Sequence, residues 1–302
     1  MSAAIEIKNL SKRFGAKVAV DDVTFSVEEG HCYGLIGPNG AGKTTTFSMM
    51  CGFLFPTSGS IRVLGVDPSD SGALKGRVGV LPQDAILPQT WPVGELLTYY
   101  GELSGLPDAE REARAALERV SLAETWAVAA GALSHGMHKR VSMAQALMGS
   151  PPVIFLDEPT AGLDPKIAAS VRSVIRELKG RHTVVVSSHN LQELEELCDA
   201  TAILDKGKLV SASTMAELTG QTAEFRVQVA RGEVPLAEVK ALSGVKDARL
   251  EANQVLCVSF DGQAVQPEGR KSPYRLFAPA LPAWQSPQLR FTTSITSRSR
   301  FE

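Results

Sequence analysis

The segment Gly37-Pro38-Asn39-Gly40-Ala41-Gly42-Lys43-Thr44 is a complete G-x-x-x-x-G-K-[ST] octet, and no other stretch constrains this chain so tightly. The apolar run Cys32-Tyr33-Gly34-Leu35-Ile36 before it suits a strand, and Thr45-Thr46-Phe47-Ser48-Met49-Met50 after it suits a helix. Glycines at 37, 40 and 42 let the backbone turn so sharply that successive N–H groups point into one cavity. A helix opening near Gly42 adds its positive dipole end, and Lys43 supplies a mobile charge for the outer phosphates. Thr44 offers a hydroxyl to Mg²⁺. The octet therefore predicts a strand–turn–helix cradle for a nucleoside triphosphate.

The bulk properties leave room for that cradle and exclude several other roles. At 302 residues the chain accommodates one large α/β unit and a smaller addition. With 31 basic against 33 acidic residues there is no electrostatic footprint for nucleic acid. No apolar run reaches the roughly 18 residues of a membrane span, and the first residues do not read as a secretory leader. The cysteines at 32, 51, 198 and 257 lack metal-site spacing and read as reduced packing residues.

Short strand patterns at Ala4–Ile7, Val18–Val20, Val23–Val27, Ser60–Val63 and Val78–Leu81 predict an antiparallel, β-rich wing around the octet. A helical insert is expected over about 85–149, where Leu96, Leu97, Tyr100 and Leu103, then Ala113, Ala116, Leu117 and Val120, recur at three and four. The continuous apolar runs Val153–Leu156, Val184–Val186 and Thr201–Leu204 alternate with helices near 166–179 and 191–198, the pattern of a parallel sheet covered on both faces. This first domain is expected to span 1–219. A small β-α-β-β module is expected over 220–262, with strands at 224–229, 245–250 and 255–260 and a helix near 235–243. Residues 263–302 are rich in Pro, Ser and Arg, carry six basic against two acidic residues, and read as disordered.

Further motifs surround the octet. Val153-Ile154-Phe155-Leu156 ends in Asp157-Glu158, with Pro159-Thr160-Ala161-Gly162-Leu163-Asp164 directly after. Leu133-Ser134-His135-Gly136-Met137 precedes that strand, Gln83 follows the strand pattern at 78–81, and His189 follows the one at 184–186. In this order and spacing, over roughly residues 5–215, the chain resembles the ATP-binding-cassette (ABC) ATPase family. The resemblance implies an α/β P-loop NTPase core with a parallel sheet, antiparallel β wing and helical insert, here with a small C-terminal α+β extension.

Residue by residue, the apolar strand before Asp157 already suits a carboxylate that holds Mg²⁺ through its water shell. By resemblance Thr44, Gln83 and Asp157 hold the metal, and Gln83 also touches the attacking water; on its own it reads as an ordinary turn glutamine. Glu158 is implied as the general base and His189 as the contact to the γ-phosphate, although a lone histidine is more often structural. His31, His135, His138 and His182 match no family position and read as structural. Phe14, 23 residues before the octet, is implied to lie under the adenine of ATP. Gly37 through Thr45, that is Gly37, Pro38, Asn39, Gly40, Ala41, Gly42, Lys43, Thr44 and Thr45, cradle the phosphates.

Ser134, Gly136 and Asp164 are implied to meet the nucleotide or its surroundings across an interface with a second ATPase subunit, a homodimer being the simplest arrangement. Where many members read Ser-Gly-Gly-Gln, this chain reads Ser134-His135-Gly136-Met137, wording similar to the branch serving drug, polysaccharide and lipid exporters. The resemblance thus implies the ATPase motor of a transporter, cytoplasmic and peripheral on the inner face of the membrane. It would dock on a separate transmembrane permease near Gln83 and Trp91-Pro92-Val93, with Trp91 alternatively a core residue. A soluble ABC ATPase acting on ribosomes or DNA is the alternative. Ribosome-associated members usually carry two cassettes, and chromosome-maintenance members separate octet and signature by long coiled coils, whereas about 90 residues separate Lys43 from Leu133 here. A non-hydrolysing regulator fits poorly with both Glu158 and His189 present, and a switch GTPase with no Asn-Lys-x-Asp motif.

Overall fold

The computed structural model describes residues 3–215, 218, 223–228, 236–240, 245–251, 255–260 and 293–297, and the chain divides into two units, Met1–Thr214 and Met215–Glu302. In the first unit β1 (Ala3–Phe14) and β2 (Lys17–Glu28) form a hairpin that turns at Gly15, whose φ is 57°. Val23, Phe25 and Val27 of β2 are buried while Thr24, Ser26 and Glu28 are exposed, so alternation puts one face of this sheet on the core. β3 (Cys32–Ile36) is buried along its whole length and runs through the glycine octet into α1 (Lys43–Met50). β4 (Ser58–Val63) returns antiparallel to β1 and completes a three-stranded sheet, β2-β1-β4. A single turn of helix, α2 (Ser71–Leu74), then leads to β5 (Val78–Leu81).

Three helices follow before the next strand: α3 (Val93–Leu103), α4 (Ala109–Arg119) and α5 (His135–Leu147). Leu96 and Leu97 of α3 and Ala113, Ala116 and Leu117 of α4 are buried as their spacing predicts, but Leu103 is exposed. Trp91 is exposed too, its ring 5.5 Å from that of Tyr99, so its reading as a core residue is not upheld. The chain continues through β6 (Val153–Asp157), α6 (Pro165–Leu178), β7 (Thr183–Ser188), α7 (Leu191–Leu197), β8 (Ala200–Asp205) and β9 (Lys208–Thr214). Six strands form one sheet in the order β5-β6-β7-β3-β8-β9, parallel except for the final pair. β6 and β7 are buried at every residue, as strands covered on both faces must be.

The membership of β5 corrects an expectation. Val78–Leu81 does not join the antiparallel wing; it pairs parallel with β6, from Val78 opposite Val153 to Leu81 opposite Leu156. Gly79 permits this, because a Cβ there would lie 1.8 Å from the Ala146 carbonyl oxygen of α5. A four-residue strand carries too little pattern to specify its partner, and the close approach of α5 decides it.

One apolar cluster joins wing and parallel sheet. The rings of Phe25 and Tyr33 stack 5.4 Å apart, and Phe47 of α1 meets Phe155 of β6 edge-on at 5.8 Å. Such pairs contribute about 0.5–1.5 kcal/mol beyond their burial, and the second fixes the octet's helix against the strand that ends in Asp157. Cys32 and Cys198 are buried free thiols with their sulfurs 3.7 Å apart.

In the second unit β10 (Ala223–Gln228), α8 (Leu236–Lys240), β11 (Val245–Glu251) and β12 (Val255–Phe260) are followed by β13 (Thr293–Ser297). The four strands pair antiparallel in the order β11-β12-β10-β13. β13 lies inside the stretch expected to be disordered. Composition averaged over forty residues conceals the local run Thr293-Ser294-Ile295-Thr296-Ser297, whose β-branched residues suit the open edge of β10. The rest of 263–302 lies outside the described residues.

Candidate active site

The octet is shaped by glycines, at Gly37 and Gly42 because a side chain would collide and at Gly40 because the backbone is left-handed. Gly42 caps α1 with φ 100°, and a Cβ there would come within 2.7 Å of the Ala19 carbonyl oxygen. At Gly37 a Cβ would lie 2.3 Å from the Leu204 carbonyl oxygen, and Gly40 has φ 81°. The tight path leaves Lys43 only 6% exposed. Its ammonium donates to the carbonyls of Gly37 at 2.7 Å and Pro38 at 3.3 Å and lies 3.8 Å from Glu158 Oε1.

Asp157 and Glu158 emerge at the end of β6, opposite the end of β7. Asp157 is buried and accepts a hydrogen bond from the Ser187 hydroxyl. Burial pushes its carboxyl above the usual range; Ser187, Lys139 and Lys43 oppose that shift, and Glu158 adds to it. Glu158 has a left-handed backbone, φ 47°, an uncommon state that costs a non-glycine residue about 1–2 kcal/mol. Its N–H donates to the Ser187 hydroxyl oxygen at 3.0 Å. The His189 Nδ1 lies 3.0 and 3.1 Å from the two Glu158 carboxylate oxygens, so Nδ1 carries the proton and donates.

A cleft of about 340 Å³ opens over these groups. Of the residues singled out in the sequence, Asn39, Gly40, Gly42, Lys43, Thr44, Thr45, Gln83, Glu158 and His189 line it. Lys17, Val18 and Ala19 of β2 and Ala161 complete the lining. Phe14 does not line it; it is half exposed at the hairpin tip, opposite Lys17, with the Lys12 ammonium 5.2 Å from its ring centroid. Asp157 is buried and is not among the lining residues.

Ser134, Gly136 and Asp164 are likewise absent from the cleft. Ser134 caps α5, its hydroxyl accepting from the Met137 N–H at 3.3 Å. Asp164 caps α6 by accepting from the N–H groups of Lys166 and Ile167 at 3.0 Å each. Gly136 packs against α6, where a Cβ would meet Ile167 Cδ1 at 2.7 Å.

Two buried charges near the site were not legible as site residues. Lys139 of α5 is 6% exposed and donates from Nζ to the Gln83 carbonyl at 3.0 Å. Its spacing from Gly136, Met143 and Ala146, all buried, was the available signal, overridden by the usual exposure of lysine. Burial holds its amine below the ordinary lysine value, with Asp157, Asp84 and Glu158 pulling the other way. Glu193 of α7 is 7% exposed and accepts hydrogen bonds from Thr160 and Ser188.

The architecture and sequence have known counterparts. Residues 20–161 match the family model described as ABC transporter. The Nod factor export ATP-binding protein I of Burkholderia lata is 38% identical over 69% of this chain and 70% of its own length. The chain belongs to the ABC transporter ATP-binding proteins. Linearmycin resistance ATP-binding protein LnrL of Bacillus subtilis is 34% identical over 80% of this chain and 81% of its own length. Among solved structures, the ATP-binding subunit of an ABC transporter aligns with a TM-score of 0.66 at 30% identity, covering 72% of this chain and 92% of that one. Domains of this family bind and hydrolyse ATP, so this ABC ATP-binding protein is an ATPase.

Proposed function

We propose that this protein is the motor subunit of an ABC exporter and that ATP binds in the cleft between two copies of the chain. Gly37–Thr45 cradle the phosphates through backbone N–H groups and the Lys43 ammonium, and Phe14 flanks the adenine. Thr44, Gln83 and Asp157 would hold Mg²⁺. Their hydroxyl, amide and carboxylate oxygens are the hard donors that ion takes alongside substrate phosphates. The ion would neutralise charge on the transferring phosphoryl group. Glu158 takes the proton of a water whose oxygen bonds to the γ-phosphorus as the bond to ADP breaks, and His189 orients Glu158 and meets the γ-phosphate.

The observation that carries the dimer is a separation. Lys43, Gln83, Glu158 and His189 share one cleft, whereas the Ser134-headed helix α5, an anion-favouring terminus, lies outside it in the same chain. A second subunit supplying its Ser134 and Gly136, with Asp164 nearby, closes the site. In this reading a separate permease provides the path and holds the motor at the inner membrane face; among the described residues no helix is long and apolar enough to cross a membrane. The names of two relatives, Nod factor export ATP-binding protein I and linearmycin resistance ATP-binding protein LnrL, support export as the direction. The test is Glu158→Gln with Mg²⁺ and ATP, followed by size-exclusion chromatography with light scattering. A dimer with ATP that reverts to monomer without it is expected; monomer in every nucleotide state would overturn the proposal.

A further inference from the structure

Glu193 is a buried carboxylate with no cation paired to it among the described residues. Its Oε1 accepts from the Thr160 hydroxyl at 2.6 Å and its Oε2 from the Ser188 hydroxyl at 3.0 Å. The Ser188 oxygen in turn accepts from the Asn190 N–H at 3.1 Å, and Asn190 Oδ1 accepts from the Glu193 N–H at 3.3 Å. One oxygen of this carboxylate thus holds the loop two residues after Glu158, and the other holds Ser188 on one side of His189, while the Glu193 backbone N–H holds Asn190 on the other. With the contact between His189 and Glu158 the chain closes a ring: Glu158, Thr160, Glu193, Ser188, His189 and back to Glu158.

Removing a carboxylate from water with only hydroxyl partners is unfavourable, and packing alone would be served better by an apolar residue. Glu158 moreover sits in a strained left-handed conformation, which persists only where its surroundings over-determine it. We propose that Glu193 is a positioning residue for ATP hydrolysis: it straps the loop after Glu158 to the loop around His189 and holds the two groups in register. This rests on the reading of Glu158 and His189 as the hydrolytic pair. Glu193 touches neither directly and acts through Thr160 and Ser188.

The experiment compares Glu193→Ala, Thr160→Val, their double variant and Glu158→Gln. A displacement of about 1 Å between reacting groups costs about 100-fold in rate. Expected for Glu193→Ala is a kcat lowered about 10- to 100-fold with KM for ATP within about 2-fold of wild type. Thr160→Val lowers kcat in the same direction, and the double variant is no slower than Glu193→Ala, because both remove one strap. Nitrogen NMR of the histidines in the nucleotide-free chain, with His189→Ala assigning the signal, reads the strap without hydrolysis. The wild type keeps the Nδ1–H tautomer of His189, and Glu193→Ala loses it. An unchanged His189 tautomer, additive effects of the two variants, or a kcat loss matched by the loss of folded protein on melting would each overturn the proposal. If Glu158→Gln hydrolyses ATP like wild type, the hydrolytic reading beneath it falls instead.

Discussion

Replacing Lys43 by methionine should weaken ATP binding by about 10- to 150-fold, and the structure supplies the accounting. An ammonium has three protons to donate. In the structure one goes to the Gly37 carbonyl at 2.7 Å and a second to the Pro38 carbonyl at 3.3 Å. Glu158 at 3.8 Å is beyond hydrogen-bond reach, so one proton remains to meet a phosphate oxygen. One charge-assisted bond contributes about 1.5–3 kcal/mol, which at about 1.4 kcal/mol per decade gives the range stated. Methionine keeps the length and apolar stem, so the buried side chain is replaced without opening a large void. The Gly37 and Pro38 carbonyls lose their donor, and the variant should melt somewhat lower than wild type. Titration calorimetry with ATP and Mg²⁺ on protein shown folded by its melting curve provides the measurement. A folded variant whose affinity stays within about 3-fold of wild type would refute the placement of the ammonium at the phosphates.

The buried carboxyl of Asp157 has its folded-state pKa raised chiefly by burial. Its contribution to stability is therefore present at low pH and lost as pH rises from the ordinary Asp value through the raised one. Asp157→Asn, whose carbonyl still accepts from Ser187, should melt above wild type at neutral pH without nucleotide. The gap should shrink towards pH 4, and a lower melting point at neutral pH would contradict it. Gly79→Ala drives a methyl against the Ala146 carbonyl oxygen, which must shift α5 away from β5. A loss of about 3 kcal/mol or more by urea unfolding is expected, and a change under about 0.5 kcal/mol would show the contact relaxes freely.

What the linear sequence determined on its own is the part written in contiguous residues. The octet's glycines, lysine and threonine are legible as a phosphate-loop pattern from their spacing alone, and the unbroken apolar runs before Asp157 and His189 dictate strands buried on both faces. Carboxylates and histidine at the ends of such strands could therefore be located before any coordinates. What only the tertiary structure decided depends on which strands become neighbours. β5 entered the parallel sheet because the missing side chain of Gly79 admits α5, a relation between residues far apart in the chain. The left-handed turn at Glu158 and the burial of Lys139 likewise arise from packing by distant elements. Thr160 and Glu193 stand 33 positions apart and meet at 2.6 Å only because β6 and β7 pair side by side. Local pattern records how a segment buries itself, but a hydrogen bond across two loops exists only once their strands have aligned.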